Sequence, residues 1–177
     1  MSVVTRFQFA TYLYLRGYGA IEQNHPPSTT YDFLNRFHAV VAEELSGLKP
    51  TVIYIHVNTA LLTIDAAAHD AVGPALRAAK EKVDGYFAAA ALPSRMGGLC
   101  SFGAAHCGEL AFGADRFPAA FGELMNSMQR MVEIWDTAGE LTKQAVVVLD
   151  APAWEAAKAH LHGVRHVVES GRDFYIL

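Results

Sequence analysis

Asn126 and Arg130 stand four residues apart in the stretch FGELMNSMQR, Phe121 to Arg130. On a helix, that spacing sets an amide and a guanidinium about one turn apart on one face. Such a pair can hold a ligand. The planar guanidinium donates two parallel hydrogen bonds to a phosphate or carboxylate, and the amide both donates and accepts. The same spacing also suits an ordinary polar stripe facing water. Leu124, Met125 and Met128 supply the apolar face that a surface helix turns inward. The helix alone leaves both readings open.

Other residues with chemical potential point less far. Cys100 and Cys107 are too few for a disulfide framework. His106 beside Cys107 does not make a zinc site, because zinc takes about four ligands and no second pair is spaced to supply them. Small buried thiols are the expectation. The glycine-punctuated run GGLCSFGAAHCGELAFG lacks the Lys-Ser/Thr of a phosphate-binding loop. Its glycines are expected to serve turning and close backbone approach. Arg77, Lys80 and Lys82 are expected on a solvated helix face.

The chain of 177 residues fits one domain, 1–177. It is 52 % hydrophobic and only 18 % charged, so a face hidden in an oligomer or against another protein is expected. The formal charge is −4 and no Lys/Arg cluster occurs, which argues against nucleic acid or an anionic membrane as partner. No apolar run reaches the roughly 18 residues of a membrane helix. MSVVTRFQFATYLYLRG reads as a strand, not a signal peptide, and a cytoplasmic location is expected.

The elements that must position these residues follow from periodicity. Alternation predicts strands near 3–13, 51–57, 60–65, 99–105, 109–113, 144–149 and 173–177. The first hairpin should turn near Asn58-Thr59 and the second between 105 and 109. Helical spacing predicts helices near 29–46, 69–91, 119–136 and 153–161, with Pro74 and Pro152 near helix starts. The result is an α+β layer fold, with helices covering a mostly antiparallel sheet.

Several short strings, in this order, resemble the class III adenylate/guanylate cyclase catalytic domain across nearly the whole chain. YLYLRGYG stands where that family has a strand running into F-x-D-[IL]-x-G-[FY]-T, and keeps Leu15, Arg16, Gly17 and Tyr18. IHVNTALLTID stands at its metal-binding hairpin, and HDAVGPALRAAK at the next helix. GAAHCGELAFG matches its glycine-rich hairpin through Gly103, Gly108 and Gly113. GELMNSMQR matches the following helix through Gly122, Glu123, Asn126 and Arg130. The resemblance implies a ferredoxin-like cyclase fold. It also implies that Asn126 holds a ribose and that Arg130 stabilises charge developing at a phosphate. Asn126, Arg130, Gly17 and Tyr18 are thus expected as vestigial nucleotide-binding positions.

The departures from the family bear on activity. Its reaction needs two divalent ions held by two aspartates, one on the first strand and one on the hairpin. Tyr14 falls at the first position and Thr59 at the second. The base-selecting Lys falls near Ile55 and the base-selecting Asp near Phe117. No Asp or Glu lies between Met1 and Ile21, and Asp65 is six residues beyond Thr59. No metal site is expected, and no cofactor, with Mg²⁺ or Mn²⁺ bound only if a partner supplies the ligands. Two functions follow as expectations. One is a catalytically inactive cyclase-like domain acting as a dimeric binding or regulatory module in signal transduction. The other is the non-metal half of a heterodimeric cyclase, lending Asn126 and Arg130 to a partner that carries the aspartates. The expected partner is a second copy or another cyclase-like domain, with a nucleotide as the candidate ligand and Phe117, Pro118 and Phe121 at the interface.

Overall fold

The computed structural model describes residues 3–138 and 144–177. β1 (Val4–Arg16) is followed by α1 (Tyr18–Asn24) and α2 (Pro27–Leu45). β2 (Val52–His56) and β3 (Thr59–Asp65) form a hairpin ahead of α3 (Val72–Ala89). β4 (Arg95–Phe112) and β5 (Asp115–Phe121) form a second, longer hairpin ahead of α4 (Glu123–Thr137). β6 (Val147–Asp150), α5 (Ala151–Ala157), β7 (Arg165–Glu169) and β8 (Arg172–Ile176) complete the chain. Among the described residues, eight strands form one sheet in the order β2-β3-β1-β4-β6-β8-β7, with β5 paired to the outer part of β4. Every pairing is antiparallel except β4 with β6.

Strand alternation decides which side chains meet which helices. On β1, Phe9, Leu13 and Leu15 point into a core with Phe37, Val41, Leu76, Val83 and Phe87 of α2 and α3. Ala10, Tyr12 and Tyr14 point the other way, to α4, whose Leu124, Met128, Met131 and Trp135 make a second core. The sheet is therefore covered on both faces. Lys80 of α3 ties one cover to the middle of the sheet, donating to Asp84 Oδ2 at 2.7 Å and to the carbonyls of Met96 on β4 and of Ala145 ahead of β6 at 2.9 and 2.6 Å.

The predicted α+β class, the helices near 29–46 and 69–91 and the first hairpin match the structure, while the helix predicted near 153–161 is shorter, Ala151–Ala157. Pro74 falls in the first turn of α3, where its missing N–H costs no helical hydrogen bond. Gly73 beside it gives room to Leu161, whose Cδ2 lies 2.3 Å from where a Cβ would stand.

Three expectations are corrected. The second hairpin does not turn between 105 and 109, because β4 runs unbroken through Gly103 and Gly108 to Phe112. Its turn is at Gly113, where φ is +63°. Residues 119–121 are strand, and the helix begins only after Gly122, at φ +103°. α1 and β7 were not expected. β7 carries a legible signal, since Ser170 and Gly171 both have positive φ (51° and 73°), as a two-residue hairpin turn requires. The predicted strand at 144–149 is shorter, Val147–Asp150. No helix among the described residues is long and apolar enough to cross a membrane.

Candidate functional site

β1 places Tyr14 between two partners. Across one ladder it pairs with Thr59, and across the other with Gly97. Directly paired residues project to the same face, so Tyr14, Thr59 and Gly97 all face α4. Gly97 matters here because the Tyr14 ring lies over it. A Cβ at Gly97 would stand 2.3 Å from Tyr14 Cζ and 2.5 Å from its Oη. From there the ring packs against the core cluster of α4 that includes Trp135.

These residues border a cleft of about 380 Å³. Tyr12, Tyr14 and Arg16 come from β1, and Gly17, Tyr18 and Gly19 from the turn into α1. Asn58 comes from the β2–β3 turn and Thr59 from the start of β3, Leu99 from the floor strand β4, and Val132, Trp135 and Asp136 from α4. Gly17 has φ +82°, a left-handed conformation that glycine adopts without strain. It turns the chain from β1 into α1, and Tyr18 follows with its hydroxyl donating to Glu22 at 3.4 Å. Asn58 Nδ2 donates to the Leu15 carbonyl at 3.1 Å, which ties the hairpin turn to the end of β1.

Burial is the main cause of the raised pKa of both phenols. For Tyr14, burial is opposed by the Trp135 N–H and by Arg16, and reinforced by Asp136 and Tyr12. For Tyr12, burial is reinforced by Asp136 and opposed by the Thr59 hydroxyl. Both rings are therefore neutral at physiological pH, with an anionic Asp136 close by.

The donor set does not suit Mg²⁺. That ion takes carboxylates and retains waters, whereas the cleft offers phenols, a hydroxyl and one carboxylate, Asp136, among the described residues that line it. Among the described residues no group of three His, Cys, Asp or Glu is placed to hold a metal.

Asn126 and Arg130 are both solvent-exposed on α4, toward its N-terminal end. They do not line the cleft, which α4 meets only through Val132, Trp135 and Asp136 near its other end. Arg130 Nε donates to the Asn126 carbonyl at 3.3 Å. Of the expected nucleotide positions, the fold thus brings together Gly17 and Tyr18 with Tyr14 and Thr59, and leaves Asn126 and Arg130 outward on the same chain. Sequence reading missed Tyr12, Gly97, Trp135 and Asp136. Tyr12 was signalled by its alternation with Tyr14, and Trp135 by its helical spacing from Met128 and Met131.

Similar architectures settle the fold. The adenylyl cyclase CyaB from P. aeruginosa superposes with TM-score 0.81 over 99 % of this chain and 95 % of that one, at 11 % identity. The class III nucleotidyl cyclase fold is therefore the fold of this chain. The guanylate cyclase domain of RhGC from Catenaria anguillulae, solved in complex with GTP, gives 0.77 over 98 % and 97 % at 9 % identity. A bacterial light-regulated adenylyl cyclase gives 0.80 over 99 % of this chain at 12 % identity, and this chain spans 52 % of it. No family profile matches the sequence, and no curated protein sequence matches it significantly. At these identities the cyclase fold is common ground, while the site residues are this chain's own.

Proposed function

We propose that the chain is a catalytically silent cyclase-like domain that works as a dimeric, cytoplasmic binding or regulatory module in signal transduction. The observation that carries this reading is the Tyr14–Thr59 pair. The two positions that the cyclase resemblance assigns to metal aspartates face each other across one ladder, and hold a phenol and a hydroxyl. The Tyr14 ring also fills the space over Gly97. Without the ions, neither the activation of a ribose hydroxyl nor the clamping of a triphosphate is available.

A dimer is supported by the exposed apolar surface. Phe117 and Phe121 on β5 are 49 % and 45 % exposed, and Ile53 and Ile55 on the edge strand β2 are 53 % and 61 % exposed. Tyr54 of β2 donates its hydroxyl to the Pro118 carbonyl at 3.3 Å, which joins the two strands into one surface. Two-fold pairing is the commonest way to cover such a face.

A second reading rests on Asn126 and Arg130. Both are exposed a turn apart, so a partner domain with both aspartates could receive them, and only that partner would bring Mg²⁺ or Mn²⁺. The test is an assay of the purified chain with ATP and GTP, with either ion. No cyclic nucleotide above background is expected. Metal-dependent turnover that disappears in Arg130→Ala would overturn the silent reading. Turnover that appears only on mixing with an aspartate-bearing cyclase domain would select the second.

A further inference from the structure

The cleft at Tyr14 has a chemistry of its own. We propose that it binds an uncharged, planar nitrogen heterocycle of one or two rings, stacked on Tyr12 and Tyr14, in the space where a cyclase would need metal and triphosphate. The proposal deepens the binding-module reading and rests on it.

Four aromatic side chains border the cleft: Tyr12, Tyr14, Tyr18 and Trp135. Tyr12 and Tyr14 are two apart on one strand, so both rings stand on the same face. Their centroids are 6.1 Å apart and their planes are inclined by 35°. Successive strand aromatics of this kind form the surfaces on which flat heterocycles stack, with little dependence on substituents. Gly97 lets the Tyr14 ring lie down over β4 instead of standing off it. Leu99 and Val132 add apolar surface.

Charge argues against a phosphate. Among the described residues, the charged side chains lining the cleft are Arg16 and Asp136, which act on the Tyr14 phenol in opposite directions. One cation offset by one anion does not hold a triphosphate, which takes several converging donors or a metal. Size points the same way. A cleft of about 380 Å³ lies at the small end of ligand pockets, which run from roughly 300 to 1,000 Å³. Polar groups sit at the rim. Thr59 donates to the His56 carbonyl at 2.9 Å, and Asn58 Nδ2 donates to the Leu15 carbonyl, which leaves Asn58 Oδ1 as the acceptor for a ring N–H.

The test is an NMR titration of the full chain with adenine, and in parallel with Mg–ATP, following the methyl groups of Thr59, Leu99 and Val132. Adenine is expected to give saturable shifts at these methyls without added metal. Tyr12→Ala should weaken binding roughly ten- to a hundredfold. Tyr12→Phe, which keeps the ring, should bind within a few-fold of the parent, and Tyr31→Ala on α2 should change nothing. Absence of saturable shifts at millimolar adenine would overturn the proposal, as would binding that requires both Mg²⁺ and the triphosphate. Equal weakening by Tyr12→Phe and Tyr12→Ala would also overturn it, since stacking depends on the ring and not the hydroxyl. The two readings fail separately. Metal-dependent cyclase turnover sinks the silent module, whereas an empty adenine titration on a silent chain sinks only the heterocycle site.

Discussion

The far end of the Tyr14 ring lies over Gly97, its register partner on β4, at a distance that leaves no room for a side chain there. The two positions are therefore coupled. Gly97→Ala puts a methyl into the ring and should cost about 1–3 kcal/mol as overpacking. Tyr14→Ala removes the obstacle and leaves a cavity of its own. In the double variant the two losses should not add, and a double-mutant cycle from urea unfolding should give a coupling of at least about 1 kcal/mol. Additive losses would mean that the ring can leave Gly97 without cost, and the metal position would then not be blocked by packing.

The same phenols should shape stability in alkali. Tyr12 and Tyr14 both titrate above the ordinary 10.0, chiefly because they are buried. The folded state therefore holds these protons more tightly than the unfolded chain. Their contribution is fully present below pH 10 and is lost as pH rises through the folded values. Urea midpoints measured between pH 9 and pH 12 should fall, and the fall should be shallower in Y12F/Y14F. An identical slope in that variant would place the alkaline loss elsewhere.

Much of this architecture is legible in the chain, for physical reasons. VVTRFQFATYLYL is rich in apolar and aromatic residues at consecutive positions because its strand is covered on both faces by different helices, and Asn58 marks the first turn. Gly103 and Gly108 misled the reading of the second hairpin. They look like punctuation, yet they sit mid-strand, where a Cβ would meet only ordinary contacts at 3.9 and 3.5 Å. Only Gly113 turns the chain. α1 escaped notice because seven residues are too few to show a period, and no side chain caps its start. The cleft was half legible. Tyr14 and Thr59 could be found by resemblance, but Gly97, Trp135 and Asp136 come from distant segments that only the sheet register and the seating of α4 bring together.

Asp150 ends β6, an interior strand of the sheet. Its Oδ1 accepts the Ala153 N–H at 2.9 Å and so caps α5, while Ser101 Oγ donates to Oδ2. Burial raises its carboxyl above the ordinary 3.8, against the pull of Ser101, the backbone N–H groups and Arg172. The folded state thus prefers the protonated form. The destabilising effect of its charge is complete above the folded pKa and fades as pH falls toward 3.8. Asp150→Asn keeps a capping oxygen without the charge and should unfold near the parent's midpoint at pH 7. Asp150→Ala should lose about 1 kcal/mol from the cap alone. Thermal unfolding of both variants distinguishes a cap from a buried charge. If Asn proves as costly as Ala, the carboxylate charge itself is what the site requires.

Phe121 and Arg130, the two ends of FGELMNSMQR, lie on different elements. Phe121 ends β5, where its ring lies 5.4 Å from that of His106 and is 45 % exposed, while Arg130 lies on α4 with its Nε turned to its own helix. If β5 and β2 form the covered face, Phe121→Asp places a charge inside it. Burial of one aromatic side chain is worth roughly 1.5–3 kcal/mol, so dimer dissociation should strengthen at least tenfold. Arg130→Ala should leave the dimer unchanged. Sedimentation across a micromolar series measures both, with the parent well above the 19.2 kDa of a single chain. A parent that stays monomeric at high micromolar concentration would exclude the homodimer and leave a different partner domain. Loss of the dimer in Arg130→Ala, with Phe121→Asp unaffected, would assign the α4 guanidinium to an interface. Arg130 would then no longer stand as a retained phosphate ligand, and the half-enzyme reading would lose the residue on which it rests.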